Sequence, residues 1–323
     1  MPKPISRTFA ALLFTAAPLA LIAASPGHAQ EADRFASVEI KAERLADGVA
    51  VLFGAGGNIG VSFGPDGTVL IDDQYAPLTG KIQAAVKDLG ADPVKYLINT
   101  HWHGDHSGGN ENLGAAGALI MAHDHVRERL VKGTDKVPPA APAALPVITY
   151  HDGIKLHLNG DEVRVRHMKH AHTDGDSIVF WTKANVLHMG DLFFHKVTLP
   201  FIDLSSGGNA RGILAAADKV LAMVDEDTKI IPGHGPVATK ADLAAYRDMM
   251  KSVIAAVETA QGEGKSLAQV QAMKPAAQWD INPDAFIKGD AFVEAVYKSL
   301  QQPAHAEEHA DGHSDQQAEG HAH

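Results

Sequence analysis

The 323-residue sequence contains no cysteine, which excludes disulfide bonds, thiolate metal ligands and a cysteine nucleophile. Aromatic residues make up only 6% of the chain, and 28 Lys plus Arg stand against 39 Asp plus Glu. The resulting formal charge of −11 argues against a nucleic-acid partner, because phosphate binding needs a concentrated excess of positive side chains. An ordinary apolar fraction of 45% predicts a folded chain, and 19 histidines are its outstanding feature.

Long apolar runs are scarce, and the one that stands out lies at the N-terminus. Lys3 and Arg7 precede an apolar run over residues 9–24, and residues 27–29 supply the small side chains typical of a signal-peptidase site. The run is shorter than the ~20 residues of a spanning helix. We therefore predict a signal peptide over residues 1–29 and an exported protein, periplasmic or secreted, with no membrane partner after cleavage.

The other end of the chain, residues 301–323, mixes histidine with acidic residues and cannot form a core. We predict a His-rich disordered tail. Its histidines are His305, His309, His313, His321 and His323. The first three are spaced four apart and would share one face of a helix, so metal capture is one interpretation and a solvated tail is the other.

Between these ends, over residues 30–300, short apolar runs alternate with helical patterns, which predicts a layered α/β sandwich. The predicted strands are 49–53, 59–63, 68–71, 94–99, 119–121, 154–158, 162–165, 177–181, 186–189 and 229–231. The predicted helices are 79–89, 125–131, 213–224, 240–260 and 292–300. A Pro-rich stretch, 137–146, is expected to join two similar halves, and the helical patterns from about residue 240 are counted in the same domain.

The densest group of potential metal ligands is Asn99-Thr100-His101-Trp102-His103-Gly104-Asp105-His106, directly after a predicted strand. An open α/β layer places its ligand crevice at the carboxyl ends of its strands. In an extended backbone His101 and His103 point the same way, while Asp105 and His106 can turn toward a neighbouring point. One loop could therefore serve two metal ions.

Three further potential ligands also follow apolar runs. His172 comes after the 163–168 run, Asp191 ends the segment 187–191, and His234 lies in the turn that closes the last predicted strand. Each is weak evidence alone, because Gly-Asp and Gly-His turns are common. Together with the first loop they form an ordered series.

This series resembles the metallo-β-lactamase superfamily, whose pattern is a His-x-His-x-Asp-His loop followed by a His, an acidic residue or Cys, and a final His. The resemblance covers roughly residues 49–237 and implies a four-layer αβ/βα sandwich with a binuclear zinc site along one edge. It implies a first zinc on His101, His103 and His172, a second on Asp105, His106 and His234, and Asp191 as the bridge. Asp72 or Asp73 resembles the acidic residue that the family carries early in the chain. That residue is expected to accept a hydrogen bond from a ligand His or a loop amide.

The ligand types predict the chemistry. Imidazole and carboxylate suit zinc, with iron or manganese as alternatives, and three His leave one position open for water. Two Zn²⁺ ions lower the pKa of a shared water toward about 7, which gives a hydroxide that attacks a carbonyl. Asp105 is expected to orient that hydroxide and to carry a proton to the leaving group. The predicted reaction is hydrolysis of an amide, lactam, ester or thioester in a small molecule.

The expected substrate is a β-lactam or a related cyclic amide or ester, because the signal peptide, the compact size and a Gly-rich 54–58 hairpin resemble exported lactamases with a mobile flap. Two departures leave an alternative open. Asp191 stands where cysteine-containing lactamases place a thiolate and is similar to glyoxalase-II-like thioesterases, and Phe194 stands where those lactamases carry a substrate-binding Lys. A thioesterase or lactonase is therefore the alternative.

Further candidates for substrate contact are Asn209, Lys196, Arg211 and Trp102, with His195 as a pocket wall. The competing interpretations are a helix cap for Asn209, surface charges for Lys196 and Arg211, and a wedge against the core for Trp102. A non-enzymatic alternative is an exported zinc-binding or delivery protein that uses the tail for capture. The sequence leaves the oligomeric state open.

Overall fold

The computed structural model describes residues 34–302, so the predicted signal peptide and residues 303–323 of the predicted tail lie outside the described residues. Residues 34–37 belong to a first unit that ends at Ser37, and the account below concerns residues 38–302, which belong to the second unit. None of the helices in residues 34–302 combines the length and the apolar character needed to cross a membrane.

The first sheet has seven strands in the order of the sequence. They are β1 (Lys41–Ala46), β2 (Val49–Phe53), β3 (Ile59–Ser62), β4 (Thr68–Ile71), β5 (Val94–Ile98), β6 (Leu119–His123) and β7 (Ile148–Tyr150). Strands β1 to β4 pair antiparallel, whereas β4 to β7 pair parallel. The parallel half therefore brings the carboxyl ends of four strands to one edge.

The second sheet has five strands in the order β12-β11-β10-β9-β8. Their bounds are β8 (Gly153–Leu158), β9 (Asp161–His167), β10 (Ser177–Trp181), β11 (Val186–His188) and β12 (Lys229–Ile231). Only β11 and β12 pair parallel, and the other pairs are antiparallel.

The two sheets pack face to face through alternate strand residues. Val69 and Ile71 of β4 meet Val163 and Val165 of β9 and Trp181 of β10 in one buried cluster. Since side chains alternate across a strand, the intervening residues of the first sheet point outward. Leu52, Leu70 and Leu97 among them are buried, as are Leu187 and Ile230 of the second sheet, so each sheet needs a cover on its outer side.

Helices provide these covers. They are α1 (Thr79–Asp88), α2 (Gly104–Ser107), α3 (Asn110–Ala115), α4 (Asp124–Lys132), α5 (Ala210–Leu221), α6 (Lys240–Gly262), α7 (Leu267–Ala272) and α8 (Gly289–Gln301). Ile213 of α5, Val253 of α6 and Phe292 of α8 pack in one cluster with Leu187 and Ile230 of the second sheet. The four-layer αβ/βα sandwich predicted from the sequence is confirmed.

The structure adds elements that the sequence patterns missed. Strand β1 is mostly exposed and polar, β7 has only three residues, and α7 is a short helix with a Ser266 capping box. Because β7 pairs with β6, the Pro-rich stretch 137–146 lies within the first sheet's connections rather than between the sheets. Helix α5 begins at Ala210, three residues before its predicted start, because the Asn209 side chain caps it.

Candidate metal centre

Six of the seven predicted ligands follow parallel strands of the two sheets, whereas the seventh, His172, follows the antiparallel strand β9. The loop after β5 carries four of them, Asp191 comes just after β11, and His234 comes just after β12. His172 lies between β9 and β10. The carboxyl ends of these strands meet at one edge of the sandwich, where the topology predicts a ligand crevice.

His101, His103, His172 and Asp191 form the first group, in which all ligand atoms lie within 4.8 Å of one another. His172 Nε2 is 3.0 Å from His103 Nδ1 and 3.6 Å from Asp191 Oδ2. His101 Nε2 is 3.9 Å from the same carboxylate oxygen. Three imidazole nitrogens and one oxygen therefore face a common point.

Asp105, His106 and His234 form a second group with the same property. His106 Nε2 lies 3.3 Å from His234 Nε2, and His234 Nε2 lies 3.3 Å from Asp105 Oδ2. Asp191 also reaches this group, because its Oδ1 is 3.1 Å from His106 Nε2 and 3.3 Å from His234 Nε2. Asp191 thus presents Oδ2 to the first group and Oδ1 to the second.

The other ring nitrogen of each histidine in the first group has a hydrogen-bond partner. His103 Nε2 donates to Asp203 Oδ2 at 2.9 Å, and His172 Nδ1 donates to the Phe201 carbonyl at 2.8 Å. His101 Nδ1 lies 3.0 Å from Thr100 Oγ1, which itself donates to a carboxylate. These bonds fix the ring tautomers, so the lone pair of each remaining nitrogen points at the common point.

Asp72 and Asp73, at the end of β4, share the supporting roles predicted for one of them. Asp72 accepts from His106 Nδ1 at 2.8 Å and from the Thr100 amide at 2.7 Å. Asp73 accepts from the Gly109 amide at 2.9 Å. Asp72 therefore orients a ligand histidine, and Asp73 holds the start of α3.

Burial and charge set the protonation of the centre. Burial lowers the pKa of His101 well below its usual value and that of His172 to about 4. Burial also acts to lower the pKa of His234, but the carboxylates of Asp191 and Asp105 raise that pKa to about 9. The pKa of Asp191 is held well below its usual value because His106 and His234 outweigh its burial.

The donor set fits divalent metal ions. His101 Nε2 is buried and has no hydrogen-bond partner within residues 34–302, although a buried polar atom normally has one. It points into the first group, where an ion would satisfy it. Neutral imidazole and carboxylate are the donors that zinc prefers, and iron and manganese accept them too.

The predicted flap, residues 54–58, is a short turn attached to the ligand loops. The Gly57 amide donates to the Asp105 carbonyl at 3.0 Å, and the Asn58 amide donates to the Gly233 carbonyl at 2.7 Å. A Cβ atom on Gly57 would overlap the His106 ring, and one on Gly233 would overlap Asp191. The turn thus closes over the second group and does not extend as a flap.

His103, Asp105 and His234 are partly exposed, whereas the other four predicted ligands are buried. The centre therefore opens to solvent where these three side chains reach the surface. Both groups contribute to the open side, so one small molecule can approach the two groups together.

The predicted substrate contacts fall elsewhere. Asn209 Oδ1 caps α5 and its Nδ2 donates to the Ser299 carbonyl, Arg211 pairs with Glu258, and exposed Lys196 lies 3.7 Å from Asp242. The competing interpretations, a helix cap and surface charges, describe these three residues. Their polar groups are used by the scaffold, which removes the basis for the substrate roles.

Trp102 and His195 are also held by the scaffold. Trp102 is buried against Ala122 and Val126 and donates to Ser206 Oγ at 3.1 Å, so it wedges the ligand loop in place. The pocket-wall interpretation of His195 is not supported, because its Nδ1 donates to the Pro236 carbonyl and its Nε2 faces Asp242.

Asp203 is the supporting residue that sequence reasoning missed. Its Oδ1 accepts from the amides of Ser205 and Ser206, and its Oδ2 accepts from His103 and from the Ser206 hydroxyl. The signal was present, since Asp-x-Ser-Ser is a typical capping turn. The pattern does not indicate that the second oxygen reaches a ligand one hundred positions earlier in the chain.

Comparisons with known proteins agree with this geometry. The family model of the metallo-β-lactamase superfamily matches residues 53–237, more than half of the chain. A metallo-β-lactamase from Pontibacter korlensis superposes with a TM-score of 0.55 at 17% identity, over 66% of this chain and 99% of that one. At that identity the superposition is evidence for the fold alone.

Among curated relatives, an uncharacterized protein of Mycobacterium leprae is 37% identical over 27% of this chain and 39% of its own length. The β-lactamase-like protein 2 homolog of Caenorhabditis elegans is 24% identical over 53% of each chain. A hydroxyacylglutathione hydrolase of Nitrosococcus oceani is 28% identical over 44% of this chain and 48% of its own. The match spans about half the length of these relatives or less. With its fold, its ligand loops and the family match in agreement, the chain belongs to the metallo-β-lactamase superfamily.

Proposed function

We propose that the protein is a metal-dependent hydrolase that cleaves an acyl bond in a small molecule, with two zinc ions held by the seven predicted ligands. The observation that carries the proposal is the position of Asp191, whose two oxygens face the two groups separately. A structural zinc site is closed by four protein ligands, whereas a shared carboxylate between two partly open groups is suited to catalysis.

When bound, two ions supply a Lewis acid for the carbonyl oxygen and lower the pKa of a water molecule. Hydrolysis would add a water oxygen to the carbonyl carbon and break the bond to the leaving group, so a proton would have to reach the leaving atom. Asp105 is the group we assign to hold this proton, because it is partly exposed and ionised. The neighbouring His106 and His234 outweigh its burial and lower its pKa. Its Oδ2 faces these histidines, and its Oδ1 is the assigned acceptor.

The buried histidines and their partners hold the geometry. Asp72, Asp203 and the Phe201 carbonyl each fix one ligand ring, so the metal ions would meet donors already in position. A preorganised set of this kind lowers the reorganisation required during the reaction. The centre is thus built for repeated turnover.

For the substrate, we propose a cyclic amide or ester, a β-lactam or a lactone, as the first class. The second class is a thioester, which is favoured by Asp191 in place of a thiolate and by the similarity to a hydroxyacylglutathione hydrolase. We further propose that the protein works after export, which rests on the N-terminal sequence alone.

The test is a single series on the purified mature chain. Metal content is measured by mass spectrometry, and hydrolysis of nitrocefin, a γ-lactone and an acyl-glutathione thioester is followed before chelation, after chelation and after zinc is restored. Hydrolysis of at least one class that is lost and recovered with zinc supports the proposal. Bound zinc without hydrolysis of any class would contradict it and favour the metal-delivery alternative.

A further inference from the structure

An aromatic wall, defined as Phe194, Phe201 and Phe286, extends from the metal centre to the surface. The Phe194 ring is stacked on His234, with centroids 5.5 Å apart and an interplanar angle of 3°, and it also contacts His172 at 6.2 Å. In a chain with only 6% aromatic residues, these contacts with ligand rings stand out.

The middle of the wall is Phe201, which lies against two ligands of the first group. Its ring centroid is 5.8 Å from that of His103 at an angle of 26°, and 5.5 Å from that of His172. Phe201 is only partly buried, and His103 is one of the ligands that reach the open side. An apolar group of a bound substrate would therefore meet Phe201 next to the reacting carbonyl.

The outer end of the wall is Phe286, whose ring lies 6.0 Å from Phe201 and whose side chain is 79% exposed. Phe286 belongs to residues 273–288 between α7 and α8, beyond the family match that ends at residue 237. Ile281 of the same segment is 82% exposed. Large apolar side chains at a functional edge indicate a binding surface when they are grouped.

This segment is anchored to the loop that carries Phe201. Asn282 Nδ2 donates to the Val197 carbonyl at 2.7 Å, and the Ile287 amide donates to Thr198 Oγ1 at 2.8 Å. The Gly289 amide donates to Asp280 Oδ2 at 2.7 Å. These bonds on both sides of Phe286 hold its backbone beside the centre, so its exposure belongs to a fixed surface.

The charges point to the same kind of ligand. Lys196 and Arg211, the cations predicted to bind a substrate carboxylate, face Asp242 and Glu258 instead. Phe194 occupies the position where the resemblance implies a cation in some lactamases. A wall without these charges favours an uncharged, apolar substituent.

We propose that the aromatic wall determines specificity by binding an extended apolar group of the substrate, with Phe286 as its outermost contact. This inference rests on the proposed function and assigns the substrate to acyl compounds that carry an alkyl chain or an aryl ring. A small acyl group would reach the metal centre without touching Phe286.

The test uses alkyl hydroxamates, which bind metal ions through the same head group while the chain length varies. Binding of aceto-, hexano- and octanohydroxamate to the zinc-loaded full chain is measured by calorimetry. We expect affinity to rise about threefold per buried methylene and F286A to remove about tenfold from octanohydroxamate while leaving acetohydroxamate unchanged. F286L should restore most of the loss. M273A removes a half-exposed apolar side chain at the start of the same segment, next to α7, and it serves as the matched control.

The outcomes are distinct. Equal affinity for all three hydroxamates, or a chain-length preference that survives in F286A, would overturn the proposal that the aromatic wall binds the alkyl chain. A change in molecular mass of F286A with an unchanged preference would overturn it too and assign Phe286 to contact between copies. Failure of every hydroxamate to bind would refute the metal centre itself, and with it the proposed function. Absence of hydrolysis with a preserved preference would refute only the proposed reaction.

Discussion

Two groups of histidines in this protein differ in how their side chains are arranged. In the metal centre the ring nitrogens converge with carboxylates on two common points. The other set, here called the stacked histidine group, consists of His123, His125, His151 and His167. In this group the rings of His123 and His167 stack with centroids 3.7 Å apart and an angle of 15°. Stacked rings point their nitrogens sideways, so histidine number alone does not make a metal site.

The supporting contacts differ in the same way. In the stacked histidine group, His167 Nδ1 donates to the Asp176 carbonyl at 2.9 Å and His125 Nδ1 donates to the Asp174 carbonyl at 3.0 Å. The rings are tied to the backbone, and carboxylates lie at the rim of the group, with Asp124 3.8 Å from His151 and Asp174 3.9 Å from His125. Within residues 34–302, the groups that bring three or more ligand atoms within 4.8 Å are the two at the metal centre.

Protonation follows from this difference. Burial lowers the pKa of His123 to about 4 and that of His167 to about 3, and neighbouring histidines add to the shift. At the metal centre, carboxylates reverse the effect of burial and raise the pKa of His234 to about 9. His123 and His167 are therefore neutral at pH 7, whereas the Asp191 carboxylate keeps His234 protonated.

The largest expected effect comes from removing the shared ligand. Asp191→Ala should lose zinc from both groups and lower hydrolysis about 10³-fold or more, because its carboxylate faces ligands of both groups. Metal content relative to wild type, hydrolysis and circular dichroism are measured together. Asp218→Ala, which removes an exposed carboxylate paired with Arg247, is the matched control. Loss of one zinc with the other retained would contradict the bridge.

A smaller loss is expected at a supporting residue. Asp203→Asn keeps an oxygen for the turn at Ser205 but replaces the carboxylate that accepts from His103. Zinc affinity should fall about 10-fold to 100-fold. Competition with a chromophoric chelator measures it, and an unchanged affinity would show that the His103 ring is held by other contacts.

The stacked histidine group is expected to make the free energy of unfolding fall at low pH. His123 and His167 have lowered folded pKa values, so the unfolded chain binds more protons below about pH 6.5 and is favoured as the pH falls toward 4. His123→Phe should reduce this pH dependence by about 1 kcal/mol at pH 5, after allowance for solvent screening. Urea unfolding at pH 7 and pH 5 measures the free energy of unfolding, with the exposed His157→Phe as the control. An equal pH dependence in wild type and His123→Phe would refute this assignment.

The smallest effect is expected at the rim of the stacked histidine group. His151 is mostly exposed and lies 3.8 Å from its carboxylate partner, so His151→Ala should change neither zinc content nor hydrolysis by more than about twofold. Mass spectrometry and the hydrolysis assay check this. A lost zinc ion would mean that the stacked histidine group binds metal after all.

The sequence predicted the centre better than the surface around it. All seven predicted ligands converge because each follows a strand, and strand ends can be located from short apolar runs. Asp203 was missed because its contact with His103 depends on tertiary packing. Asn209 was assigned to substrate, although its cap position before α5 was an equally direct interpretation. Strand β1 escaped prediction because its residues are mostly exposed, and the role of Phe286 depends on how residues 273–288 fold back.

The central claim is that Asp191 joins two metal positions, and anomalous X-ray scattering from zinc-loaded crystals tests it most directly. The account predicts two anomalous peaks, one in each group, each about 2.0–2.2 Å from a different oxygen of Asp191. A single peak, or a peak among His123, His125, His151 and His167 in place of one at the centre, would contradict it.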